Sequence, residues 1–212
     1  MKQLPASEFM AYAKRRLTRP HIGELPGETA PPEGLDPGLP RRRAAVAVLF
    51  TARGKDATML LIRRAAHRGN HRTEWAFPGG VAEPSDESLL ATALRETHEE
   101  IGVPQTLIDA WGPLPKVITG TGFEVWPFAG QLCENAHLTI AEEEVGDYAY
   151  IPVLRLADTS ARRQITLMRD DVTRRWDAIE HEGRIIWGAT ARIIHNTMSH
   201  LDIDEMTDDP IQ

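Results

Sequence analysis

The chain has 212 residues, of which 42% are apolar and 26% charged, with a formal net charge of −7. That length suits one domain, or one domain with an extended arm, and the acidic balance argues against a general nucleic-acid binder, whose footprint is basic. A single cysteine, Cys133, excludes an internal disulfide and a cysteine-built zinc site; with no signal peptide and no apolar run of about 18 residues, the expectation is a cytoplasmic protein that does not span a membrane.

In chain order, residues 6–18 place Phe9, Tyr12, Ala13 and Leu17 on one helical face, with Pro5 or Ser7 as the start. Residues 20–43 hold six prolines and four glycines, which rules out a regular element and predicts an extended arm. The arm ends in Arg41-Arg42-Arg43, read as a solvated approach to a strand in preference to a phosphate clamp. Strands are predicted at residues 44–51, 57–62 and 75–77, with Gly54-Lys55-Asp56 as the first hairpin turn and Pro78-Gly79-Gly80 as a stop and tight loop. Residues 85–101 form the strongest predicted helix. Further strands are expected at 110–114, 124–132, 148–151, 164–169, 173–179 and 184–187, and a closing helix at 189–201. These elements imply an α+β fold with helices packed on a mixed sheet. The expected divisions are an N-terminal helix and Pro/Gly-rich arm over 1–42, a domain over 43–203 and an acidic tail over 204–212.

The helix at 85–101 carries the chemistry. At about 100° per residue, Glu96, Glu99 and Glu100 share one arc of roughly 100°, beside an apolar stripe of Leu90, Leu94, Thr97 and Ile101. Three like charges in one turn repel, and a hard divalent cation such as Mg²⁺ or Mn²⁺ relieves that repulsion. Such an ion also bridges phosphate oxygens. Gly79-Gly80 lets backbone carbonyls approach a metal closely, and Arg95 sits at the i,i+4 spacing to hold Glu99. His98 points away from the arc and reads as a surface or core-flanking residue. On residue types alone, a solvated acidic face remains the competing interpretation of the three glutamates.

The same residues resemble the Nudix box: a glycine, five residues, a glutamate, seven residues, then Arg-Glu-aliphatic-any-Glu-Glu-any-Gly-aliphatic. Residues 95–103, Arg-Glu-Thr-His-Glu-Glu-Ile-Gly-Val, match its second half apart from Thr97, and Gly80 and Asp86 keep the first spacing with Asp in the Glu slot. Eight residues, not seven, separate Asp86 from Arg95. The insertion, the Phe77-Pro78-Gly79-Gly80 run and the stretches around 112–127, 144–153 and 186–193 are similar to the coenzyme A pyrophosphatase branch. Residues 68–75 depart from that branch's upstream signature, so branch and substrate are separate questions.

The resemblance implies a Nudix-type α/β/α sandwich with a mixed central sheet. It implies hydrolysis of a phosphoanhydride bond in a nucleoside diphosphate derivative, coenzyme A or its thioesters first among them. Glu96, Glu99, Glu100 and Gly80 are then the metal ligands, Arg95 supports them, and the general base is Glu96 or the distant Glu144, the last of an acidic Glu142-Glu143-Glu144 run. Arg63, Arg64 and Arg72 are candidate phosphate contacts, and Trp75 and Phe123 candidate stacking partners for a base. The partner is a small nucleotide and not a nucleic acid, and a homodimer with the arm across the partner subunit is one arrangement the family suggests. The alternatives are a Nudix enzyme for an ADP-sugar, dinucleoside polyphosphate or oxidised nucleotide, and a Nudix-fold module that binds without catalysis.

Overall fold

A computed structural model describes residues 4–18, 41–65, 74–169 and 172–202. Most of the proline-rich arm, Arg72 and the acidic tail lie outside these residues. The main sheet is built on two long strands, β1 (Arg42–Arg53) and β2 (Asp56–Arg64), joined through Gly54 in the left-handed region at φ 61°. Only their ends at the turn pair with each other, from Phe50↔Met59 to Arg53↔Asp56. Beyond that point the strands diverge. The gap is filled by a wedge of two short strands, β3 (Trp75–Ala76) on β2 and β4 (Gly79–Val81) on β1, with Ala47 N–H bonded to the Pro78 carbonyl at 2.8 Å. The Gly-Gly segment expected as a loop is thus a strand. Its pairing partner, the Ala44–Val46 stretch, is supplied from far along the chain and leaves no local signal.

On the other side of β1 runs β7 (Phe123–Leu132), parallel and in register from Arg42↔Phe123 to Phe50↔Gln131. Strands β5 (Ile108–Pro113) and β6 (Val117–Ile118) pair with β7, and β8 (Val145–Pro152) closes the far edge against β2. Helix α2 (Leu89–Ile101) covers one face, over Ala45, Ala47, Leu49, Leu60 and Ile62. Helices α1 (Ala6–Leu17) and α4 (Gly188–Leu201) cover the other, with the short α3 (Val153–Ala157) beside them, over Val48, Phe50, Met59 and Leu61. The three layers make the expected α/β/α sandwich. A separate antiparallel sheet of β9 (Arg162–Arg169), β10 (Val172–His181) and β11 (Arg184–Trp187) leads into α4.

Helix α1, expected with the N-terminal arm, belongs to the core: Phe9, Met10, Tyr12, Ala13 and Leu17 are all buried, and the Tyr12 hydroxyl donates to the Leu201 carbonyl at the end of α4. Helix α2 starts at Leu89, four residues later than expected, because the Ser85-Asp86-Glu87 stretch is held in a turn by the Asp86 side chain and Ser88 is the cap, accepting from Ala91 N–H at 3.1 Å. Its buried face is also rotated from the expected stripe. Thr92, Ala93, Thr97, Glu100 and Ile101 are buried, whereas Leu90 and Leu94 are half-exposed. The cause is close approach: α2 lies on β4 and on the alanines of β1, where small residues fit, and the Thr97 hydroxyl is satisfied within the helix by the Ala93 carbonyl at 2.7 Å.

Candidate active site

The site lies where β1 and β2 diverge and α2 crosses the wedge. Glu100 is only 4% exposed, and its Oε2 accepts the Gly79 N–H at 2.8 Å. Burial pushes its carboxyl up to about 7, against the opposing pull of that hydrogen bond and of Arg64. Glu96 is raised as well, by burial first, then opposed by Arg95 and reinforced by Glu99 and Glu144. Gly80 touches the Glu96 carboxylate so closely that a Cβ there would collide with it. Glycine at 80 thus leaves room for a side chain that would otherwise have to shift, and is not demanded by backbone conformation. Its neighbour Gly79 is held to glycine by both contact and conformation, at φ 149° with the Ala45 carbonyl in the place of a Cβ.

Arg95 organises the exposed side. Its Nη1 bonds Glu96 Oε1 at 3.0 Å and Glu99 Oε2 at 2.9 Å, the latter the expected i,i+4 pair. Its Nε and Nη2 grip Asp86 at 2.9 and 3.0 Å, and Nη2 also reaches the Val81 carbonyl at 3.2 Å. Asp86 further accepts from Glu83 N–H and the Thr92 hydroxyl. These bonds, Arg95 first, hold its carboxyl far below the usual carboxylate range. The sequence marked Asp86 only as the occupant of a motif slot. Its role as the anchor of Arg95 depends on the turn before α2, which no periodicity announces.

Glu144 is brought to the cluster from the far side. The segment before it caps α2, with Thr139 and Ala141 N–H groups bonded to the Ile101 and Glu100 carbonyls at 2.9 and 3.0 Å. The Glu144 carbonyl then accepts from Ala65 N–H at 2.8 Å, at the end of β2. Its charge acts on both Glu96 and Glu100, while Glu142 and Glu143 are exposed. Among the arginines, Arg64 enters the site, with Nη2 3.4 Å from the Gly79 carbonyl, whereas Arg63 turns to Asp147 at 3.7 Å. Arg72 lies outside the described residues. His98 is exposed, as expected.

Neither candidate stacking residue stands here. Trp75 is buried in the α1/α4 side of the core under Arg184, and Phe123 packs toward that same side under Arg42. The reason is strand parity: both lie at positions whose side chains leave the face that α2 covers.

Residues 40–170 match the NUDIX domain family. The chain is 35% identical over 162 residues to NudL of Yersinia pestis (strain Pestoides F), described as an uncharacterized Nudix hydrolase, which covers 76% of this chain and 81% of that protein. NudL of Yersinia pseudotuberculosis serotype O:1b (strain IP 31758) aligns to the same extent. A MutT/nudix family protein from Enterococcus faecalis superposes with a TM-score of 0.50 at 21% identity, over 83% of this chain and 67% of that one, a likeness of fold. The chain belongs to the Nudix family. It is a Nudix hydrolase, of the class that acts on pyrophosphate bonds of nucleoside diphosphate derivatives.

Proposed function

We propose that the protein hydrolyses the diphosphate of coenzyme A or its thioesters, releasing 3′,5′-ADP and the 4′-phosphopantetheine half, in the cytoplasm. The observation that carries a hydrolytic site is the convergence of Glu96 and Glu100 on Gly79-Gly80, both raised by burial and both felt by the charge of Glu144. The choice of coenzyme A rests on the sequence resemblance around 112–127, 144–153 and 186–193.

The donor chemistry fits Mg²⁺ or Mn²⁺. The groups are all oxygens, and carboxylates that raise one another's proton affinity are the arrangement a hard cation relieves. Among the described residues, however, no three such groups are already drawn together as a closed ligand set. Glu96, Glu99 and Glu100, with the Gly80 carbonyl, are the residues that would hold the ion; when bound, it neutralises the diphosphate and lowers the pKa of attacking water. Of the two candidates for general base, Glu144, whose charge acts on both Glu96 and Glu100, would take the proton of the attacking water. Arg95 keeps Glu96 and Glu99 in place, and Arg64 meets a phosphate oxygen at the wedge.

The test is a hydrolysis panel with Mg²⁺ and Mn²⁺ over coenzyme A, ADP-ribose, NADH, diadenosine polyphosphates and 8-oxo-dGTP, with products identified by mass. Preferred cleavage of coenzyme A to 3′,5′-ADP is the expected result; preference for another compound moves the substrate and leaves the family chemistry. Glu144→Gln is expected to lower kcat by about 10²-fold or more, in keeping with loss of a general base. A larger loss on Glu96→Gln with Glu144→Gln nearly active would reassign that role.

A further inference from the structure

The face of the sheet that carries Gly80 continues sideways onto a second group of residues. Ala45 pairs with Gly80 on one side and Trp126 on the other, so the three side-chain positions share one face, the face toward α2. The next pair on that face is Arg43↔Glu124. Lys116, the residue before β6, reaches the same place: its Nζ lies 2.7 Å from Glu124 Oε1 and 5.4 Å from the centre of the Trp126 ring. Arg43 Nε lies 4.0 Å from Glu124 Oε2. Trp126, Lys116 and Glu124 are each half-buried, and the Arg43 side chain is 67% exposed.

Two cations here share one carboxylate, and the carboxylate is the most enclosed of the three charged groups, with side-chain exposures of 16% for Glu124, 27% for Lys116 and 67% for Arg43. Both cations are thus more open to solvent than the carboxylate they share. Burial is the largest single influence and works to raise Glu124, but the bond and charge of Lys116, with Trp126 and Arg43, together outweigh it and leave Glu124 lowered, so it stays a carboxylate. As a stabilising device the arrangement is weak, because partly exposed ion pairs contribute little. As a subsite it is well placed: two strand spacings, about 10 Å, separate Trp126 from Gly80, comparable to the reach from a diphosphate across a ribose to its base.

We propose that Trp126, Lys116 and Arg43 form the subsite for the nucleoside half of the substrate, with Lys116 and Arg43 binding a phosphate carried on the ribose in addition to the diphosphate and Trp126 packing against the base. The proposal rests on the reading of the glutamate site as a nucleoside diphosphate hydrolase and names what that site selects. An arginine fork and a lysine point charge together suit a terminal phosphate dianion, and an indole suits a base without demanding its identity. Glu124 is a positioning residue that sets the two cations. Arg43 closes the triplet that the sequence suggested to be merely solvated.

The test compares two small probes that cannot be hydrolysed at a diphosphate, 3′,5′-ADP and 5′-AMP, by fluorescence titration of the full-length protein. The wild type is expected to bind 3′,5′-ADP about tenfold or more tightly than 5′-AMP. R43Q and K116Q are expected to remove that ratio, and W126F to weaken both probes together and abolish the fluorescence change. In turnover, the ratio of kcat/KM for coenzyme A over dephospho-coenzyme A is expected to fall in R43Q, through KM and not kcat. Because Arg43 is largely exposed, R43Q carries the test even if K116Q unfolds. A wild type that does not distinguish the probes, or an R43Q that keeps the ratio, overturns the subsite. Active hydrolysis with an unaltered ratio removes the subsite and keeps the enzyme. Probe discrimination with no diphosphate cleaved does the reverse.

Discussion

The Gly79 N–H donates to Glu100 Oε2 at 2.8 Å, joining the wedge between β1 and β2 to the last turn of α2 and fixing a carboxyl that is 4% exposed. The bond makes Glu100 a structural member as well as a ligand candidate, unlike the flanking position first expected for it. In protein stripped of divalent cations, Glu100 ionises near 7 when folded and at about its ordinary 4.5 when unfolded. A raised folded value contributes stability that is whole below 4.5 and is lost as pH rises through 7. Metal-free protein should therefore melt lower at pH 8 than at pH 5, Mg²⁺ should restore more stability at pH 8, and Glu100→Gln should flatten both trends while reducing turnover by orders of magnitude. Thermal denaturation at the two pH values, with and without Mg²⁺, reads all three.

Gly80→Ala places a Cβ on the Glu96 carboxylate. Gly80 has no positive φ, so the backbone tolerates alanine and Glu96 must shift instead. A displacement of about 1 Å at a reacting group costs on the order of 10²-fold in rate, so kcat should fall by that order with the melting temperature little changed. Gly79→Ala should behave oppositely, losing stability first, by about 1–3 kcal/mol, because its Cβ meets the Ala45 backbone in a conformation alanine avoids. Circular dichroism melts beside initial rates separate the two.

Asp86→Asn removes one of the three carboxylate charges paired with Arg95. Arg95 then loses its anchor while its bonds to Glu96 and Glu99 remain, and activity should drop by roughly 10- to 100-fold, as for other residues that orient ligands. Asp86→Glu should recover part of the loss. A variant with full activity would show that Arg95 is held well enough by Glu96, Glu99 and the Val81 carbonyl.

Phe9→Ala should cost about 3–5 kcal/mol, the range for a fully packed aromatic, since Phe9 is 3% exposed and stands 6.0 Å from Phe50 between ring centres. Urea denaturation checks it. A change within 0.5 kcal/mol would mean that α1 is a detachable arm after all.

The motif at residues 95–103 exposed the helix and its carboxylates because those features repeat at helical spacing within a few turns. The pairing of Arg95 with Glu99 could be placed from that alone, whereas its bond to Glu96 could not. What escaped depended on partners far along the chain. Strand β4 exists because β1 supplies hydrogen bonds to two glycines, and the buried face of α2 follows small residues because Gly79 and Gly80 allow close approach. The placing of Trp126, the proposed partner of the base, on the face toward α2 and of Phe123 on the other escaped for a similar reason, since it turns on the parallel pairing of β1 with β7. The alternation of Glu124 and Trp126 with buried Val125 was the available clue.

Strand β1 borders the wedge along one edge and β7 along the other, in continuous register. Ala45 has Gly80, over which the Glu96 carboxylate lies, on one side and Trp126 of the proposed subsite on the other. Such a layout separates what is done from what it is done to. On the proposed subsite, exchange of residues 115–126 is expected to change the preferred compound while leaving the glutamates of α2 in place.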